Sequence, residues 1–240
     1  MLPCLHPPFR SNHIFGDDAN PEDYTSLDWI LKRSKYTILV YDGAQTVKGS
    51  DITFDQYMAA FTRENVAVKN HWLISQMRCK GGQEYIDYLS DIFKCKEGLS
   101  RKEIVNYDLR LFDHIDDMVQ AIRAHDKVLG LCRTVAGYSW EWILRPSAID
   151  EIGCIHTTQG YDLNYVGVIF GEEIDYDETT NQITINPAKH FDSNVQRGAS
   201  PEELKTYLIN SYKVMMSRGI KGCYVYACNP SLKNYFSTFI

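Results

Sequence analysis

The sequence predicts an α/β protein built on a mainly parallel sheet flanked by helices. Three observations carry this. Strand-like and helix-like segments alternate along the chain. Several strand-like runs are apolar on both faces, as strands covered by helices on either side must be. Polar clusters follow the apolar runs, and in open α/β sheets ligands bind just outside strand ends.

The elements follow in order. Residues Met1 to Asp23 hold Pro3, Pro7, Pro8 and Pro21, which break regular structure, so a loop-like start is expected up to about residue 25. Leu27, Trp29, Ile30 and Leu31 predict a short helix capped by Thr25 or Ser26. Tyr36-Thr37-Ile38-Leu39-Val40-Tyr41 is β-branched and aromatic and predicts a strand that ends at Asp42-Gly43-Ala44-Gln45. Thr53 to Thr62 predicts a helix with Phe54, Tyr57, Met58 and Phe61 on one face. Val66 to Ile74 predicts a strand that runs into Ser75-Gln76-Met77-Arg78-Cys79, and Gly81-Gly82 breaks the chain there.

Tyr85, Ile86, Tyr88, Leu89, Ile92 and Phe93 recur at helical spacing over Glu84 to Phe93. Ile104 to Phe112 alternates as a strand. Asp113 to His125 predicts a helix, its acidic start favoured by the helix dipole. Lys127 to Cys132 predicts a buried strand followed by Arg133. Ile152 to Ile155 is a short apolar run ending in His156-Thr157-Thr158-Gln159-Gly160, and a second apolar run begins at Val166. Glu172 to Pro187 predicts a hairpin around Thr179-Thr180-Asn181 with an acidic exposed face. Lys189 to Ala199 reads as a loop. Ser200-Pro201-Glu202-Glu203 is a helix start, with Ser as cap, Pro in the first turn and Glu three residues on. That helix runs to Arg218, with Gly219 as its expected C-cap. Cys223 to Cys228 is the last strand and Leu232 to Phe239 a closing helix.

Composition narrows the function classes. At 240 residues, 44% hydrophobic and 23% charged, the chain has the make-up of an ordinary globular protein. The net charge of −6 argues against a dedicated nucleic-acid binder, which is normally basic, without excluding a local basic groove. The seven cysteines are scattered, odd in number and in no C-x-x-C pair, which argues against zinc and for buried free thiols in a reducing cytoplasm. No apolar run reaches membrane-spanning length, and the N-terminus lacks a signal-peptide core. No metal site is expected.

Four polar clusters fall beyond strands or at helix ends: Asp42 to Gln45, Gln76 to Arg78, His156 to Gly160, and Ser217-Arg218-Gly219. Together they are a constellation that a nucleotide site can use. A Gln45 amide can orient water or sense a phosphate. Arg78 and Arg218 can neutralise charge on a transferring phosphoryl group. Gln159 and the Gly160 backbone can approach phosphate, ribose or a nucleic-acid strand. Each also has a structural alternative: a Gln after a strand as a turn residue, an Arg at a helix end as a carbonyl cap or surface ion pair.

Taken in order, the clusters resemble the motifs of superfamily-1 helicases. More narrowly, the chain looks like an uncharacterised bacterial P-loop family related to the helicase region of Schlafen proteins. Ile38 to Gln45 resembles motif III, and Leu73 to Cys79 resembles motif IV with Arg78 at its arginine. Ile155 to Gly160 with Tyr165 to Ile169 resembles motif V. Tyr212 to Gly219 with Lys221 to Tyr226 resembles motif VI. The likeness spans roughly residues 25 to 235, with motifs V and VI its most specific parts.

The resemblance implies two RecA-like lobes with ATP and Mg²⁺ between them. It implies that Gln45, Arg78 and Arg218 face the γ-phosphate and that Asp42, Gln159, Gly160 and Arg218 line the nucleotide. His156, Thr157 and Thr158, with Arg133, are implied to couple ATP to single-stranded DNA or RNA. Two departures matter. No Gly-Lys-Ser/Thr occurs in the sequence, so the backbone cradle and lysine of a P-loop are missing, and no acidic pair follows an apolar strand before motif III.

The expectation is therefore residues 1–80 as a remnant of the first lobe and 81–240 as the second lobe. Such a chain is the C-terminal part of a nucleic-acid-dependent ATPase, truncated or completed by a first-lobe partner or a second copy. It is expected to bind no ATP or Mg²⁺ and to be inactive alone. The alternative is a non-catalytic RecA-like module for a protein or single-stranded nucleic-acid partner, with Tyr138, Trp140 and Trp142 able to stack on bases if exposed. A hydrolase or transferase using His156 would need a nucleophile, and no G-x-S-x-G elbow is present.

Overall fold

The protein is described here by a computed structural model, which covers residues 26–43, 52–72, 77–137, 152–153, 161–191 and 199–240. The chain divides into two compact units, Met1–Leu73 and Ile74–Ile240.

In the first unit two helices carry the order. Helix α1 is Ser26–Arg33 and helix α2 is Phe54–Arg63. Thr53 caps α2 in a reciprocal box: its Oγ1 accepts the Gln56 amide at 3.3 Å and its own amide donates to Gln56 Oε1 at 2.8 Å. Leu27 and Ala60 are buried, and Asp28, fully buried, is ion-paired to Arg63 of α2. Tyr41 packs its ring edge on Tyr57 at 5.2 Å.

The strands expected at 36–41 and 66–74 do not form among the described residues of this unit. Tyr36 and Ile38 are almost fully exposed, and so is most of Trp72. A β-branched run becomes a strand only where a neighbour takes its backbone hydrogen bonds and covers one face. No described segment of the first unit does so.

Among its described residues the second unit holds a four-stranded parallel sheet in which the last strand in sequence pairs with the first and third and the third with the second, and Gly153 adds a parallel bridge to Val135. Its strands are β1 Asp108–Leu111, β2 Cys132–Ala136, β3 Leu163–Phe170 and β6 Gly219–Ala227. Strands β4 (Ile174–Asp177) and β5 (Gln182–Ile185) form a separate antiparallel hairpin, turned by Asp177, whose carboxylate accepts from Thr179 and Thr180.

Helices cover both faces, as the doubly apolar strands predict. Helix α4 (Ile115–Leu129) lies on one face, where Met118 and Ile122 meet Cys132, Ala136, Ile169 and Tyr224. It approaches so closely that a Cβ on Gly167 would sit 3.0 Å from Ile122 Cγ1. The other face packs against helices α3 (Gly82–Phe93), α5 (Pro201–Met216) and α6 (Pro230–Ser237). There Phe170 stacks on Tyr212 of α5 at 4.1 Å and meets Phe93 of α3 and Phe236 of α6. The α/β class is thus as the sequence predicts.

Three local expectations fail for identifiable reasons. The apolar run at Lys127–Cys132 is not a strand: α4 continues to Leu129, Gly130 ends it at φ 68°, and β2 starts at Cys132. Val128 is 82% exposed, so this apolar stretch is helix surface rather than sheet core. Gly219 is not a C-cap. Ser217 is, and Gly219 opens β6, where a Cβ would fall 2.1 Å from the Gly222 carbonyl oxygen. The acidic face of the hairpin is not wholly exposed, because Glu173 is fully buried and hydrogen-bonded by the Tyr212 hydroxyl.

Cys79, Cys95, Cys132 and Cys223 are buried and free, and Cys228 is half-buried and free. Among the described residues no helix is long and apolar enough to cross a membrane.

A buried arginine at the amino edge of the sheet

Helix α5 delivers Arg218 to the start of β6. Its N-terminus is set by Ser200, whose Oγ accepts the Glu203 amide at 3.3 Å while Glu203 Oε2 accepts the Ser200 amide at 2.8 Å. Its C-terminus is set by two tyrosines. The hydroxyls of Tyr85 and Tyr107 both donate to the Met216 carbonyl, at 3.1 and 3.3 Å, and their rings pack 4.2 Å apart. Such carbonyls at a helix end otherwise lack partners. The Arg218 amide closes the last turn on Met215 at 3.1 Å.

Three segments are stitched together around this point. The Leu163 amide donates to the Arg218 carbonyl at 3.1 Å, and the Lys80 amide donates to the Ile220 carbonyl at 2.8 Å. Arg78, two residues before Lys80, extends its Nε to Asp162 Oδ1 at 2.7 Å, and Asp162 directly precedes Leu163. Gly81 is required by this closeness, since a Cβ there would lie 2.7 Å from Tyr85 Cβ and 3.0 Å from Ile104 Cγ2.

Arg218 is only 1% exposed, yet its Nε and both terminal nitrogens have no hydrogen-bond partner among the described residues. A buried guanidinium in that state is an anomaly, because buried charges are normally paired and hydrogen-bonded. Burial, then the nearby positive charge of Arg78, pulls its pKa below the usual arginine value, and Asp162 acts in the opposite sense. The result is a buried guanidinium with a second cation and one exposed carboxylate close by. Chemically it suits an oxyanion with several oxygens, to which guanidinium forks bind bidentately.

The site lies at the amino ends of β3 and β6, not at the carboxyl ends where ligands of open sheets usually bind. The reason is local. The α5-to-β6 connection is two residues long, so a side chain at its end must sit at the edge where β6 begins.

The other expected site residues are distributed as follows. Arg133 lies on β2 and is engaged locally: its NH1 donates to Asp126 Oδ1 at 3.2 Å and to the Cys132 carbonyl at 2.7 Å. Asp42 is exposed in the first unit. Gln45, Gln76, His156, Thr157, Thr158, Gln159 and Gly160 lie outside the described residues, as do Tyr138, Trp140 and Trp142. Sequence reasoning passed over Asp162. The available signal was an acid two residues past Gly160, immediately ahead of an apolar strand.

A second polar network lies on the α4 face. The Tyr224 hydroxyl donates to Asp108 Oδ2 at 2.8 Å and sits 2.9 Å from His125 Nε2, while Arg110 Nε pairs with Asp108 Oδ1 at 2.6 Å. The His125 ring stacks on Tyr165 at 3.8 Å. Every polar member has a partner, so this network fixes the sheet edge rather than offering open valences. Among the described residues no group of three or more His, Cys, Asp or Glu is placed to hold a metal ion.

Comparison with known proteins agrees with the fold. A family model described as "Schlafen group 3, DNA/RNA helicase domain" matches residues 15–147 and 141–229. The chain is also similar to an uncharacterized protein of Saccharomyces cerevisiae, YPL245W, with 31% identity over 166 residues. That alignment covers 55% of this chain and 37% of the yeast protein, so the chain spans well under two thirds of that relative's length.

Proposed function

The chain belongs to the Schlafen group 3 DNA/RNA helicase domain family, and from that premise we propose that it works as the arginine-bearing part of a superfamily-1-type nucleic-acid-dependent ATPase. The single observation that carries this reading is Arg218, fully buried with all three guanidinium nitrogens unpartnered among the described residues. Its backbone is held in place by α5 and by the Leu163 amide. Arg78 stands beside it as a second cation. In this reading the anion is the terminal phosphate of ATP, and the two arginines neutralise charge that builds on its oxygens as the bond to the leaving group lengthens.

The rest of the assignment follows from the same reading. Gln45 and Asp42 are the further nucleotide residues that the family resemblance implies. The stretch His156 to Gly160 couples nucleotide state to a single strand of DNA or RNA. The phosphate cradle is supplied from outside these 240 residues, by a first-lobe segment or partner, since the sequence holds no Gly-Lys-Ser/Thr.

ATP turnover tests the proposal. The 240-residue chain alone, with or without single-stranded nucleic acid, is expected to show none. Addition of a P-loop-bearing first lobe of the same family is expected to restore it. Arg218→Gln should then lower the rate by about a thousandfold, the low end for removal of an arginine finger. Robust turnover by the chain alone, or an Arg218→Gln rate equal to the parent's, overturns the reading.

A second reading, a non-catalytic binding module, draws on the first unit. There the β-branched run at Tyr36–Tyr41 is exposed and forms no ladder among the described residues. With a net charge of −6, a protein is a better partner for that surface than nucleic acid. Binding to single strands that falls steeply with salt would contradict that preference.

A further inference from the structure

We propose that Lys213 is an acyl-acceptor site: its amine, half-buried on α5 and close to Lys94 at the end of α3, takes the acyl group of a small acyl phosphate. The inference stands apart from the ATPase reading and concerns a residue that neither the motifs nor the family description assigns.

Three observations support it. Lys213 lies in the last turn of α5, and its side chain makes no hydrogen bond or ion pair among the described residues. Four other lysines, Lys32, Lys96, Lys189 and Lys233, each lie within 3.6 Å of a carboxylate, so an unpaired lysine is not the rule in this chain. Lys94, the C-cap of α3, is the charged group that acts on Lys213, and it too has no carboxylate partner among the described residues. The helix that ends at Lys94 is tied to the helix that carries Lys213, because the Tyr85 hydroxyl of α3 donates to the Met216 carbonyl of α5 at 3.1 Å. The Lys213 side chain is half-buried rather than sealed, and its nitrogen keeps contact with solvent, so a small donor can reach it.

The chemistry follows from that setting. An ammonium has no lone pair, and the free amine is the nucleophile. Burial first, then the positive charge of Lys94, pulls the Lys213 pKa below the usual lysine value, and no carboxylate acts in the opposite sense. A larger share of Lys213 is therefore free amine near neutral pH than of a lysine in water. Lys94 has a second effect. An acyl phosphate is an anion, and a cation beside the amine draws it in and offsets charge on the departing phosphate. The Nζ lone pair attacks the acyl carbon, and a C–N bond forms as the C–O bond to phosphate breaks. Phosphate leaves with that electron pair, and the surplus proton on nitrogen passes to phosphate or water. The product is a neutral amide. It ends the repulsion between two cations where α3 and α5 meet, while the aliphatic stem keeps its packing.

The test incubates the full chain with acetyl phosphate near neutral pH and follows acetylation of each lysine by peptide mass mapping. The exposed Lys127 of α4 is the internal reference. Lys213 is expected to react about threefold faster than Lys127. Lys94→Gln should lower the Lys213 rate by about twofold, and Lys94→Glu should lower it further, because a carboxylate there favours the ammonium and repels the donor. Lys94→Arg, which keeps the charge, should react like the parent. Lys94 is exposed, so these substitutions leave the core untouched, and an unchanged Lys127 rate in every chain confirms that the donor is equally active.

A Lys213 rate no higher than that of Lys127 in the parent chain overturns the inference. So does a Lys213 rate that stays at the parent value in both Lys94→Gln and Lys94→Glu, since the neighbouring cation would then have no part in it.

Discussion

The Arg218 carbonyl accepts the Leu163 amide at 3.1 Å, while the guanidinium of the same residue is buried without a partner among the described residues. One residue thus has a satisfied main chain and an unsatisfied side chain. That division separates stability from function. Arg218→Met puts a shorter, flexible apolar side chain in place of the unpaired cation. It is expected to leave the fold intact and raise unfolding stability by about 1–3 kcal/mol. Urea titration at constant m-value would show this as a higher midpoint. A clearly lower midpoint would mean that the guanidinium is a stabilising group and not a ligand-facing one.

Tyr212 and Glu173 make the opposite case, a buried polar pair that is satisfied. The Tyr212 hydroxyl donates to Glu173 Oε1 and accepts the Gly171 amide at 3.0 Å. Gly137 is forced by this pair, since a Cβ there would come within 1.8 Å of the Tyr212 oxygen. Tyr212→Phe strips a partner from a buried carboxylate and a buried amide together. A loss of about 2–3 kcal/mol is expected, read from thermal or urea unfolding. A loss below about 0.5 kcal/mol would show that the pair contributes little.

Alkaline pH should expose a set of buried acids. Burial raises the pKa of Tyr85, Tyr107 and Tyr212 well above the ordinary tyrosine value of 10.0, and pushes the Cys223 thiol up from 9.0 to about 12. The folded chain keeps protons that the unfolded chain releases, so the unfolded state binds fewer protons once pH exceeds about 9 and stability falls as pH rises. The contribution is complete below the unfolded values and is lost as pH climbs through the folded ones. Urea midpoints should be flat to about pH 9 and fall steadily towards about pH 12. Cys223→Ala should make the fall above about pH 9 shallower without abolishing it, because burial also raises the thiols of Cys79, Cys132 and Cys228. An unchanged slope in that variant would remove Cys223 from the account.

The start of α5 and the glycine beyond its end offer a paired comparison. Ser200→Ala removes the acceptor for the Glu203 amide and is expected to cost about 1 kcal/mol. Gly219→Ala drives a Cβ into the Gly222 carbonyl, where only backbone can give way, and should cost more, about 2–4 kcal/mol. Were Gly219 merely a helix cap, the two variants would lower the melting temperature to a similar extent.

Much of this molecule was legible in the sequence because it depends on neighbours along the chain. Helical periodicity at Tyr85 to Phe93 and the Ser-Pro-Glu-Glu start at Ser200 are local patterns, and both elements form as read. The alternation of strands and helices determined the α/β class, since runs apolar on both faces require cover on both sides. Arg78 and Arg218 stood out through their motif-like settings. Tertiary structure alone decided the rest. Lys127 to Leu129 became helix because α4 could continue until Gly130, and Tyr36 to Tyr41 formed no strand because a strand is defined by its neighbour. The pairing of Arg78 with Asp162 spans 84 positions, and no local pattern encodes a contact of that separation. Burial of Arg218 without a partner among the described residues is likewise a property of three segments meeting at one sheet edge: the sequence puts an arginine there, and packing buries it.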